Sequence, residues 1–416
     1  MVSAQIIMVA TLALMISGRA PIYLTAIIGS SIAGVVAGFP LSGTADITII
    51  KLINSGLHPV LVDMLGVLLF IGIMQATGFL QVIIKQIMDW GRKFGGGAGV
   101  CCAGGIAAGI IGALTGFTQP AITAVITGPA AVRLGVDSSE AAGIQSHAGI
   151  LGNFAGFTHP TMIAIVATAG IQFGLLNVVG AICALSIFAV SFYRIRKKTV
   201  NVSLADIADD MENSIECPDV SFGKAVTPFL VLVIGFAVGL PIILVGIAAA
   251  LSVAVLSGTK PSAAQAAMMD GLKLIAIPFL ATVAFLFMSA MINRVGLVTV
   301  ISDLIRPYIA FAPIQIMLVV SAIVGTVTQS NAASAAVVVP FLQIVLGMEG
   351  VDPLSAATAA VGGCAIMQYY LTGGPVSALA TVIPVIPGSE LKAANAFQRP
   401  AMLVGLLVAF LFTFIV

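Results

Sequence analysis

The amino-acid sequence predicts an all-α polytopic membrane protein with two inverted-topology repeats, each of about five spans plus one re-entrant helical hairpin, and with helices broken at the midplane. Three observations predict this fold class: an apolar composition, charge-free windows cut by polar clusters, and short motifs that recur in the second half. Of the 416 residues, 60% are hydrophobic and 8% are charged, whereas a soluble domain carries about 25% charged residues. Nearly the whole chain is therefore expected to lie in the lipid bilayer.

The composition also excludes several function classes. The 17 basic and 16 acidic residues give a net charge of +1, so no basic surface for nucleic acid is expected. The apolar windows contain neither a nucleophile–base pair nor a metal-ligand cluster, and the five cysteines are scattered as small buried hydrophobes usually are. We therefore expect no enzymatic activity, no cofactor, no nucleic-acid partner and no firmly bound metal.

Charge-free windows mark the membrane segments, and they lie at 98–132, 141–193, 225–259, 307–348, 353–389 and 400–416. Clusters rich in Gly, Pro, Thr, Ser and amide residues cut these windows at 115–120, 152–160, 325–334 and 367–375. The pieces that remain, such as 121–132, reach only the middle of a hydrocarbon core about 30 Å thick at about 1.5 Å per residue. We interpret them as half-helices.

The basic residues indicate the orientation. The densest basic cluster lies at 194–198 and is expected to face the cytoplasm. This divides the chain into an N-terminal repeat (1–193), a cytoplasmic linker (194–224) and a C-terminal repeat (225–416), with both termini periplasmic in a bacterial inner membrane. Three basic residues oppose the bias: Lys51, Arg294 and Arg306.

An internal repeat is indicated by motifs that recur in the same order. The tripeptide Ser-Gly-Thr at 42–44 recurs at 257–259, and Gly-Val-Asp at 135–137 recurs at 350–352, a spacing of 215 residues in both cases (350 − 135). Because each half has an odd number of spans, the second half enters the membrane from the opposite side. Asp137 and Asp352, which end the second motif, are expected to cap the helices that follow.

The four clusters are expected to form a binding site, because inverted repeats with broken helices are typical of secondary transporters. Exposed N–H groups at a break favour an anion, and exposed C=O groups favour a cation. The expected substrate-binding residues are Thr115, Thr118, Gln119, Asn153, Thr158, His159, Thr328, Ser330, Asn331, Gln368, Thr372 and Gly373. The expected cation-coupling positions, with Na⁺ on the carbonyls of the broken helices as one option, are Gly116, Gly156, Gln329 and Gly374.

These residues also allow other interpretations. Each cluster on its own also fits an ordinary helix kink with Ser and Thr packed between helices. His159 is the candidate for a substrate donor or a proton-responsive group, whereas His147 fits a structural role. No Arg or Lys is placed in the sequence to pair a second carboxylate, which argues against a dicarboxylate substrate.

Two segments carry a resemblance to a known superfamily. The stretch GTVTQSNAASAAVVVPFLQ at 325–343 resembles the second hairpin of the ion transporter superfamily of secondary carriers, and GFTHP at 156–160 resembles the His-Pro break of gluconate permeases. The chain as a whole is most similar to the gluconate permease and lactate permease branch. The resemblance implies symport of a small organic anion, commonly a hydroxy-carboxylate, with H⁺ or Na⁺, by an elevator-type motion and often in a homodimer. The first hairpin tip departs from the pattern because it lacks a Ser-Asn-Thr triplet.

Two other activities compete with symport. A cation/proton antiporter of the same fold would need a pair of midplane carboxylates, and the sequence offers none in the breaks. A channel or an intramembrane enzyme would need a single pore constriction or a catalytic cluster. The choice between H⁺ and Na⁺ rests on the resemblance, which favours protons.

Overall fold

A computed structural model of the chain describes residues 1–16, 20–115, 120–198, 218–273, 276–371 and 378–415. Over these residues the regular secondary structure is helical and contains no strand. The expected all-α fold class is therefore confirmed.

The first half of the chain is a succession of apolar helices with one long helix near its middle. The helices are α1 (Val2–Ile16), α2 (Ile22–Val36), α3 (Ile49–Asn54), α4 (Val60–Ala76), α5 (Phe79–Thr115), α6 (Ala121–Arg133), α7 (Ser138–Ser146), α8 (Ala148–Ala155), α9 (Pro160–Ala169) and α10 (Leu175–Lys198).

The second half has a similar order of elements. Its helices are α11 (Phe222–Ala237), α12 (Ile242–Ser257), α13 (Pro261–Leu272), α14 (Ala276–Arg294), α15 (Leu297–Ile309), α16 (Pro313–Thr328), α17 (Asn331–Leu346), α18 (Pro353–Met367), α19 (Ala378–Val382) and α20 (Leu391–Phe412), with a short 3₁₀ turn at Ile383–Val385 between the last two.

The first hairpin is made by the second part of α5 and by α6. The long helix α5 changes direction at Gly96, whose φ of 54° and ψ of −135° only glycine adopts readily. From there the two arms pack closely, because the Thr123 hydroxyl donates to the Gly104 carbonyl at 2.8 Å. A Cβ at Gly104 would lie 2.2 Å from the Thr127 hydroxyl oxygen, so the small residue sets the distance between the arms.

The second hairpin is made by α16 and α17. Its tip turns through Gln329, which has a left-handed φ of 50° although it is not glycine. The Ser330 hydroxyl then accepts from the Ala333 N–H at 3.3 Å as the N-cap of α17. The Thr328 and Ser334 hydroxyls lie 2.8 Å apart and close the turn from its other side.

Both broken spans begin with an aspartate N-cap, as the sequence predicts. Asp137 accepts from the Ser139 and Glu140 N–H groups at the start of α7. Asp352 accepts from the Ser355 N–H at 2.7 Å at the start of α18. The first of these spans runs through α7 and α8, is interrupted at 156–159 and continues as α9. The second runs through α18 to Met367 and leaves the helix at 368–371, and α19 begins at Ala378.

Interrupted helices also account for the helix lengths. Among the described residues, four helical segments are long and apolar enough to cross a membrane, and α14 and α15 qualify together as a pair bent by 76°. Most other apolar helices have 10–17 residues, short of the approximately 20 that an unbroken span needs. Large apolar side chains such as Val255, Val327 and Phe311 are exposed on the outside, as expected for a polytopic protein whose solvent is lipid.

Candidate functional site

The break in the first span lies against the first hairpin. The Thr158 hydroxyl donates to the Leu114 carbonyl at 2.9 Å, and the Phe157 N–H donates to the Ala113 carbonyl at 3.0 Å. Leu114 and Ala113 belong to the last turn of α5, directly before the hairpin tip. Backbone groups that the interruption frees are thus partly satisfied by the neighbouring arm, as a break at membrane depth requires.

The second hairpin meets both broken spans at Asn331. Its backbone N–H donates to the Gln368 side-chain carbonyl at 2.9 Å, and its side-chain nitrogen lies 3.3 Å from His159 Nδ1. Its own carbonyl accepts from the Thr161 hydroxyl at 2.9 Å, and its side-chain oxygen accepts from the Cys364 thiol at 3.1 Å. Every polar group of this one residue is therefore engaged with α9, its N-cap or α18.

Three helix ends meet at this point. His159 is the N-cap of α9, Asn331 is the first residue of α17, and Gln368 is the C-cap of α18. The two N-termini carry partial positive charge and the C-terminus carries partial negative charge. A pair of opposite small ions, or one anion with a proton donor, suits such a meeting point better than a neutral ligand does.

Tyr369 connects the two broken spans. Its hydroxyl accepts from the Asn153 side-chain nitrogen at 2.9 Å, and it lies in a notch at Gly149. A Cβ at Gly149 would come within 2.4 Å of that hydroxyl oxygen. Glycine is therefore needed in α8 for the tyrosine of the other span to approach.

The carbonyls freed by the two breaks are each taken up by an asparagine on the following long helix. At the first break, Asn177 of α10 donates to the Ala155 and Gly156 carbonyls at 3.1 and 3.0 Å. At the second break, Asn395 of α20 donates to the Tyr369 carbonyl at 3.0 Å. The Tyr369 carbonyl also accepts from a second amide of α20 at 2.9 Å, that of Gln398.

A cation lies beside the second break. Arg399 Nε donates to the Tyr370 carbonyl at 3.1 Å, and its guanidinium lies 5.3 Å from the centroid of the Tyr370 ring. No acidic side chain of the described residues forms a salt bridge with it. The sequence shows no Arg or Lys placed to pair a second carboxylate, but α20 packs along α18 and brings Arg399 beside the second break.

The remaining expected site residues fall into three groups. Thr115 ends α5 and donates to the Ile111 carbonyl at 2.9 Å, and the Gly156 carbonyl is already bound by Asn177. Gln329 carries a buried side-chain oxygen with no hydrogen-bond partner among the described residues. The expected residues Gly116, Thr118, Gln119, Thr372, Gly373 and Gly374 lie outside the residues that the structure describes.

His147 takes no part in this meeting of segments. Its Nε2 lies 2.8 Å from the Ser191 hydroxyl of α10, and its ring packs edge-to-face on Phe188 at 5.5 Å. These contacts fit the structural role expected for it. In the described ranges no group of three or more His, Cys, Asp or Glu side chains could hold a metal ion.

Tyr369 lies within the cluster at 367–375 but is not among the expected binding residues. Four other residues at the breaks were missed by sequence reasoning: Asn177, Asn395, Gln398 and Arg399. They lie outside or at the margins of the polar clusters, on helices that only the fold brings close. A signal did exist, because an amide or a cation inside or beside an apolar run is costly in lipid and usually marks a buried interaction.

Two transporters are among the solved structures with a fold similar to that of this chain. The YdaH transporter of Alcanivorax borkumensis, described as having an unusual topology, matches with a TM-score of 0.63 and 14% identity over 99% of this chain and 98% of that chain. MtrF of Neisseria gonorrhoeae, described as illuminating a class of antimetabolite efflux pumps, matches with a TM-score of 0.63 and 12% identity over 95% of each chain. Neither a family model nor a curated protein sequence matches the chain.

The likeness covers almost the whole length of all three proteins. At this level of identity it concerns the fold, which is that of a polytopic membrane protein. The narrower expectation of a gluconate permease or lactate permease branch stays a prediction.

Proposed function

We propose that the protein is a secondary active transporter that carries a small organic anion, in particular a (hydroxy)carboxylate, together with H⁺ or Na⁺ by an elevator-type motion. The main support for this proposal is the set of hydrogen bonds at Asn331, by which the second hairpin contacts both broken spans. The fold that this chain shares with YdaH and MtrF supports transport as the general activity.

The charges around the breaks support an anionic substrate. At the N-termini of α9 and α17 the Asn331 side-chain nitrogen lies 3.3 Å from His159 Nδ1. Arg399 adds a cation beside the second break that forms no salt bridge with an acidic side chain of the described residues. Together these groups offer partial and full positive charge with amide donors, which suits one carboxylate. Because Arg399 lies next to the site, a cation is available to pair a second carboxylate. This weakens the argument from the sequence against a dicarboxylate substrate.

The coupling ion has two candidate carriers. The C-terminus of α18 at Gln368 carries the partial negative charge of a helix end, which suits Na⁺. His159 lies in contact with Asn331 and is suited to carry a proton. A His159→Gln variant that still accumulates substrate in response to a sodium gradient would assign the coupling to Na⁺ and remove His159 as the carrier.

The test is a thermal-shift screen of the purified protein in detergent against small carboxylates, in sodium buffer and in sodium-free buffer. A ligand that binds only the native state stabilises it by about 2.7 kcal/mol at a hundredfold excess over its dissociation constant. We expect at least one carboxylate to raise the unfolding temperature of the wild type and of Gln265→Ala, an exposed position in α13, but not of Asn331→Ala.

Two results would contradict the proposal. If no carboxylate shifts the wild type while H⁺ or Na⁺ alone does, the cation/proton antiporter becomes the better assignment. If carboxylates stabilise Asn331→Ala as much as the wild type, the site lies elsewhere in the molecule. Uptake of the stabilising carboxylate into proteoliposomes then tests transport itself.

Export is the second candidate direction of transport, and the likeness to MtrF favours it, because that protein is described as belonging to a class of efflux pumps. The two directions are separated by loading the same carboxylate into right-side-out and inverted vesicles under a proton gradient. Accumulation only in inverted vesicles would assign export by antiport.

We also propose, from the resemblance, that the working unit is a homodimer in the bacterial inner membrane, with both termini periplasmic. The mass of the protein in detergent, measured by light scattering with correction for bound detergent, tests the dimer. A monomer mass across the range of protein concentration used for transport would contradict it.

A further inference from the structure

Helix α15 has the character of an interfacial helix. It leaves the end of α14 at an angle of 76°, and it exposes a stripe of apolar side chains at Val300, Leu304 and Tyr308, which are 54%, 70% and 74% accessible. The charged residues Asp303 and Arg306 lie on another face and are also exposed. A helix with a lipid-facing apolar stripe and a charged face lies in the plane of the membrane interface.

A cavity of about 340 Å³ lies where α14 reaches this interface. It is bounded by α3 and its C-terminal end on one side and by α14 on the other, and the lining residues are Leu52, Ser55, Ala290, Asn293 and Arg294. The α3 side supplies Leu52 and the Ser55 hydroxyl, and the α14 side supplies Ala290, the Asn293 amide and the Arg294 guanidinium. The interfacial character of α15 implies that this cavity lies at the level of the phospholipid headgroups.

The cavity is electropositive. Arg294 forms no salt bridge and no hydrogen bond within the described part of the chain, so its five N–H donors are free to bind a ligand. Lys51 lies one helical turn before Ser55 on the same side of α3, with its ammonium group bound to the Ala45 carbonyl at 2.7 Å. These are two of the three basic residues that oppose the predicted orientation, and binding an anion gives a reason for their position.

We propose that this cavity binds the phosphate headgroup of an anionic phospholipid, whose acyl chains lie along the exposed apolar stripe of α15. A guanidinium binds phosphate oxygens in a bidentate manner and is well suited to this chemistry. The helix α15, which carries the exposed apolar stripe, begins three residues after Arg294 of the cavity lining (297 − 294). A lipid can cover both the cavity and the stripe, whereas a free phosphate can fill only the cavity.

The cavity is connected to the second hairpin by hydrogen bonds. The Asn293 side-chain nitrogen donates to the Gln343 side-chain oxygen at 2.8 Å, and the Gln343 amide donates to the Ser289 hydroxyl. Gln343 belongs to α17, the helix that begins at Asn331. A headgroup that orders Asn293 therefore also stabilises one arm of the second hairpin. This inference does not depend on the proposed transport function.

The test is lipid retention by the intact protein, measured by native mass spectrometry after exchange into micelles that contain phosphatidylglycerol or phosphatidylcholine. We expect the wild type to retain phosphatidylglycerol in preference to phosphatidylcholine. In Arg294→Gln we expect the preference for phosphatidylglycerol over phosphatidylcholine to fall on the order of tenfold, because a hydrogen bond between charged groups is lost. Arg306→Gln is the matched control, because it removes the same charge from α15, outside the cavity lining.

Several outcomes would overturn the proposal. Equal loss of phosphatidylglycerol in both variants would indicate general attraction to the basic surface rather than a site. Displacement of the lipid by millimolar inorganic phosphate would indicate a site for free anions. If Arg294→Gln does not fold, Arg294→Lys replaces it; it keeps the charge but loses the bidentate geometry, and lipid retention equal to the wild type in that variant would exclude guanidinium recognition.

Discussion

At the scale of single residues, the candidate site depends on a few side chains that each satisfy more than one segment. Asn177 is the plainest case, since its amide nitrogen donates to two carbonyls at the first break and its oxygen accepts from the Gly174 N–H at 2.9 Å. It is almost fully buried. The break in the first span is thus stabilised by a residue of α10 that is not one of the expected binding residues.

Asn177→Ala should destabilise the protein by about 1–3 kcal/mol, because two buried carbonyls and one N–H lose their partner. The lower part of this range applies if the membrane-embedded unfolded state finds other partners. The unfolding temperature in detergent measures the change. Asn54→Ala, at an exposed position, should change stability by less than about 0.5 kcal/mol, and an equal loss in both variants would remove the proposed role of Asn177.

Arg399→Gln should weaken binding of a carboxylate by about tenfold or more, because a hydrogen bond to a charged group contributes about 1.5–3 kcal/mol. The side chain would keep a donor for the Tyr370 carbonyl, so the fold should remain. The dissociation constant comes from the same thermal titration. Lys392→Gln is the matched control, since it removes one positive charge from an exposed position of the same helix, and an unchanged affinity in Arg399→Gln would exclude this cation from the site.

The polar residues of the breaks could be predicted because amides and hydroxyls cluster there against an apolar background. The sequence could not show that Asn331 is the point where the segments meet, since its contacts with His159 and Gln368 join residues that are 172 and 37 positions apart. The charge rule alone places Arg399 on the cytoplasmic side, as it does every basic residue other than Lys51, Arg294 and Arg306. That rule counts charges near helix ends and takes no account of tertiary contacts, so it could not show that α20 packs beside the second break.

At the scale of elements, glycine backbone conformation decides where long helices change direction. Gly96 divides α5 and Gly296 separates α14 from α15, with φ values of 54° and 74°. The first of these positions lies two residues before the charge-free window that begins at residue 98. The second is not predicted as a bend, although the polar pair Asn293-Arg294 directly precedes Val295-Gly296. Such a pair indicates the end of a helix but not the direction of the next one, so the interfacial position of α15 could not be predicted.

Gly96→Ala should destabilise the protein by about 1–3 kcal/mol through backbone strain alone. A Cβ at Gly96 would meet no atom within 4 Å, so no steric clash contributes. Gly223 has the same open surroundings but lies in the first turn of α11 without a left-handed φ. Gly223→Ala should therefore be neutral or slightly stabilising, and equal unfolding temperatures for the two variants would show that α5 does not need the kink.

At the scale of the whole molecule, the order of elements supports the proposal of two repeats. A hairpin, a span with an aspartate N-cap, a break and a long helix follow one another as α5 to α10 and again as α16 to α20. In both cases an asparagine of the long helix, Asn177 or Asn395, binds a carbonyl at the break. The contact pattern therefore recurs together with the motifs, although the identity of single residues between the halves is low.

The inverted relation of the repeats predicts that equivalent loops face opposite sides of the membrane. Arg133 and Glu349 both precede the repeated Gly-Val-Asp motif and are exposed, so Arg133→Cys and Glu349→Cys are suitable labelling positions. In a background without the five native cysteines, a membrane-impermeant maleimide should label Glu349→Cys in intact cells and Arg133→Cys only in inverted vesicles. Labelling of both from one side would mean that the halves have the same orientation. The pseudo-symmetric site at the breaks would then lose its basis, because only an inverted pair places the two hairpins in the membrane from opposite sides.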